Sequence, residues 1–280
     1  MPAGRAPRPA RLPGGPPRSD GPDETRERMQ PVSILITNDD GYGADGLKAL
    51  EASLGSIGTV WVVAPDREQS GQGHALTLNH PLRFHKRGLR HFVVQGTPTD
   101  CVYLGVHTIL KGEARPGIVV SGINRGYNLG DDITYSGTVS AAFEATLMSL
   151  PAFAISQEIG EGTPVDFEAA ARFARTLAEQ VLARGMPPDT LLNVNVPRRR
   201  PRGVRVTHQG KRLYPGGVIE RLDPKGRSYY WIGGQSAEWE DDPKSDFAAL
   251  ADGFISVTPL HLDLTNHKVM DQVRGWNLEI

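Results

Sequence analysis

The sequence predicts an α/β fold in three layers, with a mainly parallel sheet and a β-hairpin arm towards the C-terminal end. Three observations carry this expectation. Short apolar, β-branched runs at residues 32–36, 59–65, 117–121, 153–156 and 191–196 alternate with amphipathic stretches of helical length, and such alternation places helices on both faces of a parallel sheet. The runs are apolar throughout rather than at every second residue, as strands buried on both faces require. The first three runs each open into a polar, glycine-containing loop, and open α/β sheets bind ligands beyond the carboxyl ends of their strands. The expected architecture is therefore Rossmann-like, although the spaced dinucleotide-binding glycine fingerprint is absent.

Residues 1–29 precede this pattern. They are rich in proline, glycine and arginine, and Leu12 is the single aliphatic side chain larger than alanine before Met29. Such a segment cannot bury enough apolar surface to order itself, so it is expected to be a disordered extension, or to be left out of a chain that begins at Met29. The folded domain is expected over 30–280. Its first unit is a strand at Val32–Ile36, a turn at Asn38-Asp39-Asp40-Gly41 and a helix over Ala44–Leu54. A strand at Thr59–Pro65 leads to the loop Asp66-Arg67-Glu68-Gln69-Ser70-Gly71-Gln72-Gly73, and short extended pieces follow over 82–95. Thr97-Pro98 is a helix start, with Thr as the cap and Pro at the first helical position; this helix is expected to reach Leu110.

The strand at Gly117–Ser121 opens into a loop from Gly122 to Thr138, rich in glycine, asparagine and hydroxyls. Loops of that length in a compact domain are usually functional. A helix follows over Val139–Leu150, then a strand at Phe153–Ser156, a helix over Val165–Arg184 and a strand at Leu191–Val196. Beyond Val196 the pattern changes. Val204–Thr207 reads as a strand, and Tyr214–Leu222 and Ser228–Ile232 read as a hairpin joined by Asp223-Pro224-Lys225-Gly226, giving an arm over about 204–233 that carries Tyr229, Tyr230 and Trp231. A short helix capped by Ser245, a strand at Phe254–Thr258 and a tail wrapping back from His261 complete the chain.

The balance of charges narrows the function classes. A formal net charge of -1 over 280 residues gives no support to a nucleic-acid or anionic-membrane binder, and no apolar run has the length of a membrane span. The one cysteine, Cys101, rules out an internal disulfide and fits a reducing compartment, here the cytoplasm. It lies in an apolar stretch and is expected to be a packing residue.

Chemistry concentrates at the loops. Asp39 and Asp40 repel each other unless a cation or a shared proton relieves them, and oxygen ligands suit Mg²⁺, Mn²⁺ or Ca²⁺. The same residues, with Asn38, serve equally well as a helix cap and turn formers. Ser136, Gly137 and Thr138 precede a helix, where freed backbone amides make an anion cradle. No Gly-Lys-Ser/Thr follows the glycines, so this is not a P-loop.

Taken together, Asn38-Asp39-Asp40-Gly41, the loop from Pro65 to Ser70-Gly71, Gly96-Thr97-Pro98, Ser121-Gly122-Ile123-Asn124 through Tyr135-Ser136-Gly137-Thr138, and the segment from Asp246 to Pro259 resemble the SurE (survival protein E) family of metal-dependent 5'-nucleotidases. The resemblance spans about residues 32–260. It implies one divalent metal ion per subunit, held by Asp39, Asp40, Ser70 and Asn124, with Asp39, Asp40 and Asn124 at the centre of catalysis. Gly71, Asn128, Ser136, Gly137 and Thr138 are then expected to bind the phosphate of the substrate. The implied reaction is hydrolysis of nucleoside 5'-monophosphates, with 3'-monophosphates and short polyphosphate as further candidate substrates. The implied assembly is a homodimer that swaps the hairpin arm and pairs further into a tetramer.

Other readings compete. A haloacid-dehalogenase-type phosphatase would use Asp39 as nucleophile, but it needs an acid two residues later, where Gly41 stands. A nucleotide-binding module without catalysis would need the same loops and is separated by turnover. An RNA-binding protein using the basic tail and Arg198–Arg202 would bind with strong salt dependence.

Overall fold

The computed structural model describes residues 31–113, 115–160, 162, 164–213, 217–232 and 238–278. The expected disordered extension, and the start of the arm at Tyr214, lie outside the described residues. The chain lays down β1 (Ser33–Thr37), α1 (Asp45–Leu54), β2 (Thr59–Pro65), β3 (Phe84–Gly88), β4 (His91–Val94), α2 (Pro98–Leu104), β5 (Ile118–Arg125), α3 (Gly137–Leu147), β6 (Ala152–Gln157), α4 (Glu168–Arg184), β7 (Thr190–Val196) and β8 (Val204–Val206). There follow β9 (Arg212–Leu213), β10 (Val218–Leu222), β11 (Ser228–Ile232), β12 (Glu238–Trp239), α5 (Asp246–Ala251), β13 (Ile255–His261) and α6 (Met270–Arg274).

Nine strands form one sheet in the order β3-β4-β2-β1-β5-β6-β7-β13-β8. From β4 to β7 every neighbouring pair is parallel, while β3 and β13 run antiparallel to β4 and β7. The chain therefore moves outwards from β1 through β2 to β4, then returns to set β5 on the other side of β1. Neighbouring strands whose connections leave in opposite directions create a crevice at their carboxyl ends. Here that crevice lies beyond Thr37 and Ser121, which are partners in the β1–β5 register.

Successive residues of a strand face opposite sides, and the two sides carry separate cores. Ile34, Ile36, Val62, Val120, Phe153 and Val194 pack with Leu47 and Leu50 of α1 and Ala170 and Ala174 of α4. Leu35, Val63 and Val119 pack with Cys101 and Val102 of α2 and Val139 and Ala142 of α3. The alternation read from the sequence thus becomes three layers, and Cys101 is the buried packing residue it was expected to be.

Three departures have physical reasons. β5 does not stop at Ser121 but runs buried to Asn124, because after a register shift Asn124 and Arg125 pair with Ser156 and Gln157 of β6. The helix expected to reach Leu110 narrows to α2 and widens into a π-helical turn over Gly105–Ile109; its start is as expected, with Thr97 and Asp100 exchanging side-chain and backbone bonds in a capping box. The tail does not wrap back. After Leu262 it leaves the sheet, and α6 buries none of its residues.

The hairpin forms where it was expected, but the arm does not begin at residue 204: β8 is the edge strand of the main sheet, where it pairs with β13. β10 and β11 pair from Val218↔Ile232 to Leu222↔Ser228, and β9 and β12, which flank them in sequence, make a short antiparallel ribbon. Every residue of β10 and β11 is exposed, so the arm is not folded back on its own domain.

Phe153 is fully buried in the sheet layer of the α1–α4 core. Truncating a buried aromatic removes apolar contact and leaves a cavity, at a cost of about 3–5 kcal/mol. Phe153→Ala is accordingly expected to lower the unfolding free energy by that amount, read as a lower denaturant midpoint with the slope unchanged.

Candidate active site

β1 ends by delivering Asn38, Asp39 and Asp40 into the switch-point crevice. Asn38 is buried and its amide donates to the Gly41 carbonyl at 2.9 Å, which closes the turn. Gly41 has φ +92°, and a Cβ there would sit 3.0 Å from the Arg67 backbone, so the position requires glycine. The turn-former reading therefore holds for Asn38 and Gly41. The cap reading does not extend to the acids: α1 starts after Ala44 with no side-chain cap.

Asp39 is 4% exposed. Its carboxylate accepts the Thr138 hydroxyl, and its backbone carbonyl accepts the Gln69 N–H at 2.8 Å. Burial pushes the Asp39 carboxyl up from its ordinary value, against the hydrogen bond from Thr138. Asp40 is half-buried and accepts the Arg125 N–H at 3.0 Å. Burial raises its carboxyl to about 6; the Arg125 N–H opposes that shift, and the charges of Asp39 and Glu68 add to it. Both acids are thus held where their charge is unfavourable until a cation offsets it.

The other candidates reach this pair to different degrees. Asn124 is buried at the end of β5, one residue before the amide that holds Asp40, and its own amide nitrogen donates to the Gly126 carbonyl at 3.0 Å. That bond occupies the amide nitrogen of its side chain. Ser70 follows the Gln69 amide bound to Asp39; it is exposed, and its hydroxyl donates to Glu68 at 2.9 Å. Gly71 has φ +75° and open space around it. Ser136 caps α3 by accepting the Val139 N–H at 3.1 Å, and a Cβ on Gly137 would lie 2.9 Å from the Asp39 Cβ and 3.2 Å from its Oδ2. The start of α3 therefore lies directly against the acidic pair.

Two candidates are used differently from the expectation. The Thr138 hydroxyl is fully buried and committed to Asp39, so it orients that acid and its side chain is not free for a phosphate. Asn128 is drawn towards the ends of β6 and β7. Its amide donates to Ser156 at 2.7 Å, its N–H donates to Asn195 at 2.8 Å, and its carbonyl accepts from Asn193 and Asn195. It fixes the loop after β5. Sequence reasoning missed this layer, although the signal was present: Asn193 and Asn195 stand at alternate positions in an apolar strand, and both are fully buried. It also missed Glu68 as a third charge acting on both acids.

Among the described residues, no three His, Cys, Asp or Glu side chains cluster to hold a metal ion. A cation here must take neutral oxygen donors beside the two carboxylates. Asn124 and Ser70 are of that type, and hard divalent ions accept such mixed oxygen sets. An acidic, oxygen-rich site at the switch point of a doubly wound sheet, with a helix start beside it, defines the class.

Comparison with known proteins narrows it. The family model described as Survival protein SurE matches residues 34–216. A "5'-nucleotidase SurE" from Geotalea daltonii is 55% identical over 251 residues, covering 88% of this chain and 100% of the relative. One from Geobacter sulfurreducens is 56% identical over 251 residues, covering 88% and 94%. The crystal structure of the SurE protein from Aquifex aeolicus superposes with a TM-score of 0.77 at 45% identity, covering 87% of this chain and 98% of that one. The chain belongs to the SurE family.

The contact between Gly137 and Asp39 gives a direct test. In Gly137→Ala the new methyl is 2.9 Å from the Asp39 Cβ, so the acid must move. Displacement near 1 Å at a reacting centre costs on the order of a hundredfold in rate. The variant is expected to fold normally by circular dichroism and to lose phosphatase activity on that scale; full activity would separate Asp39 from the chemistry.

Proposed function

We infer that this chain is a 5'-nucleotidase, a phosphoric monoester hydrolase that converts nucleoside 5'-monophosphates to nucleoside and phosphate. The observation that carries this reading is the nearly buried Asp39 beside Asp40, set against the start of α3. The relatives at 54–56% identity that carry the name 5'-nucleotidase SurE support it. The residues fit one divalent ion per subunit, Mg²⁺ or Mn²⁺, held by Asp39, Asp40, the Ser70 hydroxyl and the Asn124 carboxamide. When bound, such an ion neutralises phosphoryl charge and makes water a better nucleophile.

The chain's own groups do the rest. Thr138 fixes one oxygen of Asp39, leaving the other beside Gly137 as the acceptor for a proton from the attacking water. The Arg125 amide fixes Asp40. The start of α3 at Gly137 and the open backbone at Gly71 receive phosphate oxygens, because a helix start favours anions; the Val139 N–H is already held by Ser136 and the Thr138 N–H faces Asp39. Water attacks phosphorus as it passes a proton to Asp39, the bond to the ribose oxygen breaks, and that oxygen leaves with a proton from solvent, which the proton later released by Asp39 replaces. 3'-Monophosphates and short polyphosphate present the same phosphoryl group. A binding module without catalysis has no observation in its favour.

The arm supplies an assembly. Val218, Leu222, Tyr230, Trp231 and Ile232 are each more than 60% exposed on an isolated two-stranded ribbon, a form that is marginal in water on its own. A second copy of the chain, exchanging the same element, covers it at low cost. The protein is a swapped homodimer in this reading, able to pair further into a tetramer. No helix among the described residues is long and apolar enough to cross a membrane, and a lone buried cysteine suits the reducing cytoplasm.

Three tests follow from this. Asp39→Asn and Asp40→Asn are each expected to cut nucleoside monophosphate hydrolysis on the order of a hundredfold or more, the scale of losing one preorganised electrostatic contact. Chelation is expected to abolish activity in the wild type and Mg²⁺ or Mn²⁺ to restore it; full turnover after chelation would exclude the metal. Replacing residues 217–232 by a short glycine linker is expected to give monomers in sedimentation, where the full chain gives dimers or larger. A monomeric full chain would refute the swap.

A further inference from the structure

The loop between β2 and β3 carries Ser70, yet among the described residues the Ser70 hydroxyl bonds only to its own neighbour Glu68. Its placement must come from its flanks. On the near side, the Gln69 N–H is tied to the Asp39 carbonyl at 2.8 Å. On the far side, the Gly73 N–H donates to the Tyr135 carbonyl at 3.1 Å, and the His74 Nε2 meets the Glu144 Oε2 at 2.8 Å. Further on, the Ala75 carbonyl accepts from Thr97, and Thr77 donates twice to Asp100. Between the two flanks stand Gly71 and Gly73, both at positive φ, in a stretch without regular structure. Glycine gives that stretch more freedom than any other residue would.

Glu144 is unusual in this setting. It lies on α3, is 8% exposed, and among the described residues its carboxylate bonds to His74 alone. α3 is also the helix whose Thr138 holds Asp39. Six residues along a helix rise about 9 Å, so one rigid element grips the buried acid at its start and the Ser70 loop nearly two turns later. His74 lies against Phe143 of the same helix as well, with ring centroids 6.2 Å apart.

We propose that His74 and Glu144 are positioning residues that clamp the Ser70 loop onto α3 and so hold Ser70 in place for the cation shared with Asp39. This rests on the reading of Ser70 as a metal ligand. Without the clamp, residues 70–73 lose their side-chain anchor on the far side, and binding must supply the ordering that the fold now provides. The loss therefore falls on metal affinity and on the metal concentration needed for turnover, not on the rate of the fully loaded enzyme.

The experiment measures Mn²⁺ affinity of the full chain by titration calorimetry, with the melting temperature and the Mn²⁺ dependence of kcat and KM alongside. Outer-shell partners of a metal site typically contribute 10–100-fold in affinity, so His74→Ala is expected to weaken Mn²⁺ binding about tenfold, with kcat at saturating Mn²⁺ within about twofold of wild type. Glu144→Gln keeps an acceptor for the His74 N–H and is expected to retain most of the affinity, while Glu144→Ala loses as much as His74→Ala. The double alanine variant is expected to lose no more than either single one, as two members of one contact must. His74 is at the surface, so His74→Gln serves as a second variant should alanine unsettle the fold. If Ser70→Ala weakens Mn²⁺ binding and His74→Ala does not, the clamp is refuted and the site reading stands. If neither weakens it, both fall. A lower melting temperature in His74→Ala at unchanged Mn²⁺ affinity also overturns the proposal, because the pair would then only stabilise the fold.

Discussion

The structure is organised around a carboxylate that water barely reaches. Asp39 sits 4% exposed at the end of a strand, next to a second carboxylate and within range of a third at Glu68. Burial alone makes such a charge unfavourable, and like neighbours add to the penalty. The fold offsets part of this with one hydroxyl from Thr138 on Asp39 and one amide from Arg125 on Asp40. Both donors come from chain segments that must be brought in from β5 and α3. Burial still raises both carboxyls against these donors, and the proposed cation would supply the remaining offset.

The sheet topology explains how those donors arrive. β5 is the immediate neighbour of β1 on the far side of the switch point, so its buried extension to Asn124 and Arg125 ends beside Asp40. α3 follows β5 and packs on the same sheet face as α2. Its composition is dominated by small residues, Gly137, Ser140, Ala141, Ala142 and Ala145, all buried. Small side chains let a helix approach closely, and at Gly137 that approach reaches the Asp39 Cβ. A polar layer from Asn193, Asn195 and Ser156 to Asn128 then fixes the loop between β5 and α3.

Much of this was legible in the residues. The strands at 32–36, 59–65 and 191–196 and the helices at 44–54 and 165–184 followed from period and burial alone, because those elements depend on local pattern. The start of α2 followed from Thr97, Pro98 and Asp100, whose bonds close within one turn. What stayed hidden depends on partners far apart in sequence. β5 was read as ending at Ser121, since Gly122 and Asn124 look like loop residues until β6 supplies register partners. The bond of the Thr138 hydroxyl to Asp39 spans 99 residues, and those that hold Asn128 span 65 and 67, so no local pattern shows them. The tail, expected to wrap back, instead leaves Leu264, Trp276 and Leu278 exposed.

The contest between a turn and a metal site at Asp39-Asp40 shows where residue types stop being decisive. Asx residues before a helix are the usual caps, and a cap would have left the two acids at the start of α1, exposed and satisfied. α1 instead begins uncapped after Ala44, and the acids are turned into the crevice, where Thr138 and Arg125 meet them. A helix that forgoes its cap gives up about 1 kcal/mol, and the acids gain in exchange for their burial only donors brought from Thr138 and Arg125, 99 and 85 residues along the chain. That arrangement is unfavourable for folding and favourable only if something positive occupies the space between β1, β5 and α3. The same residues that would make an ordinary turn thus become a site through the strand order that surrounds them.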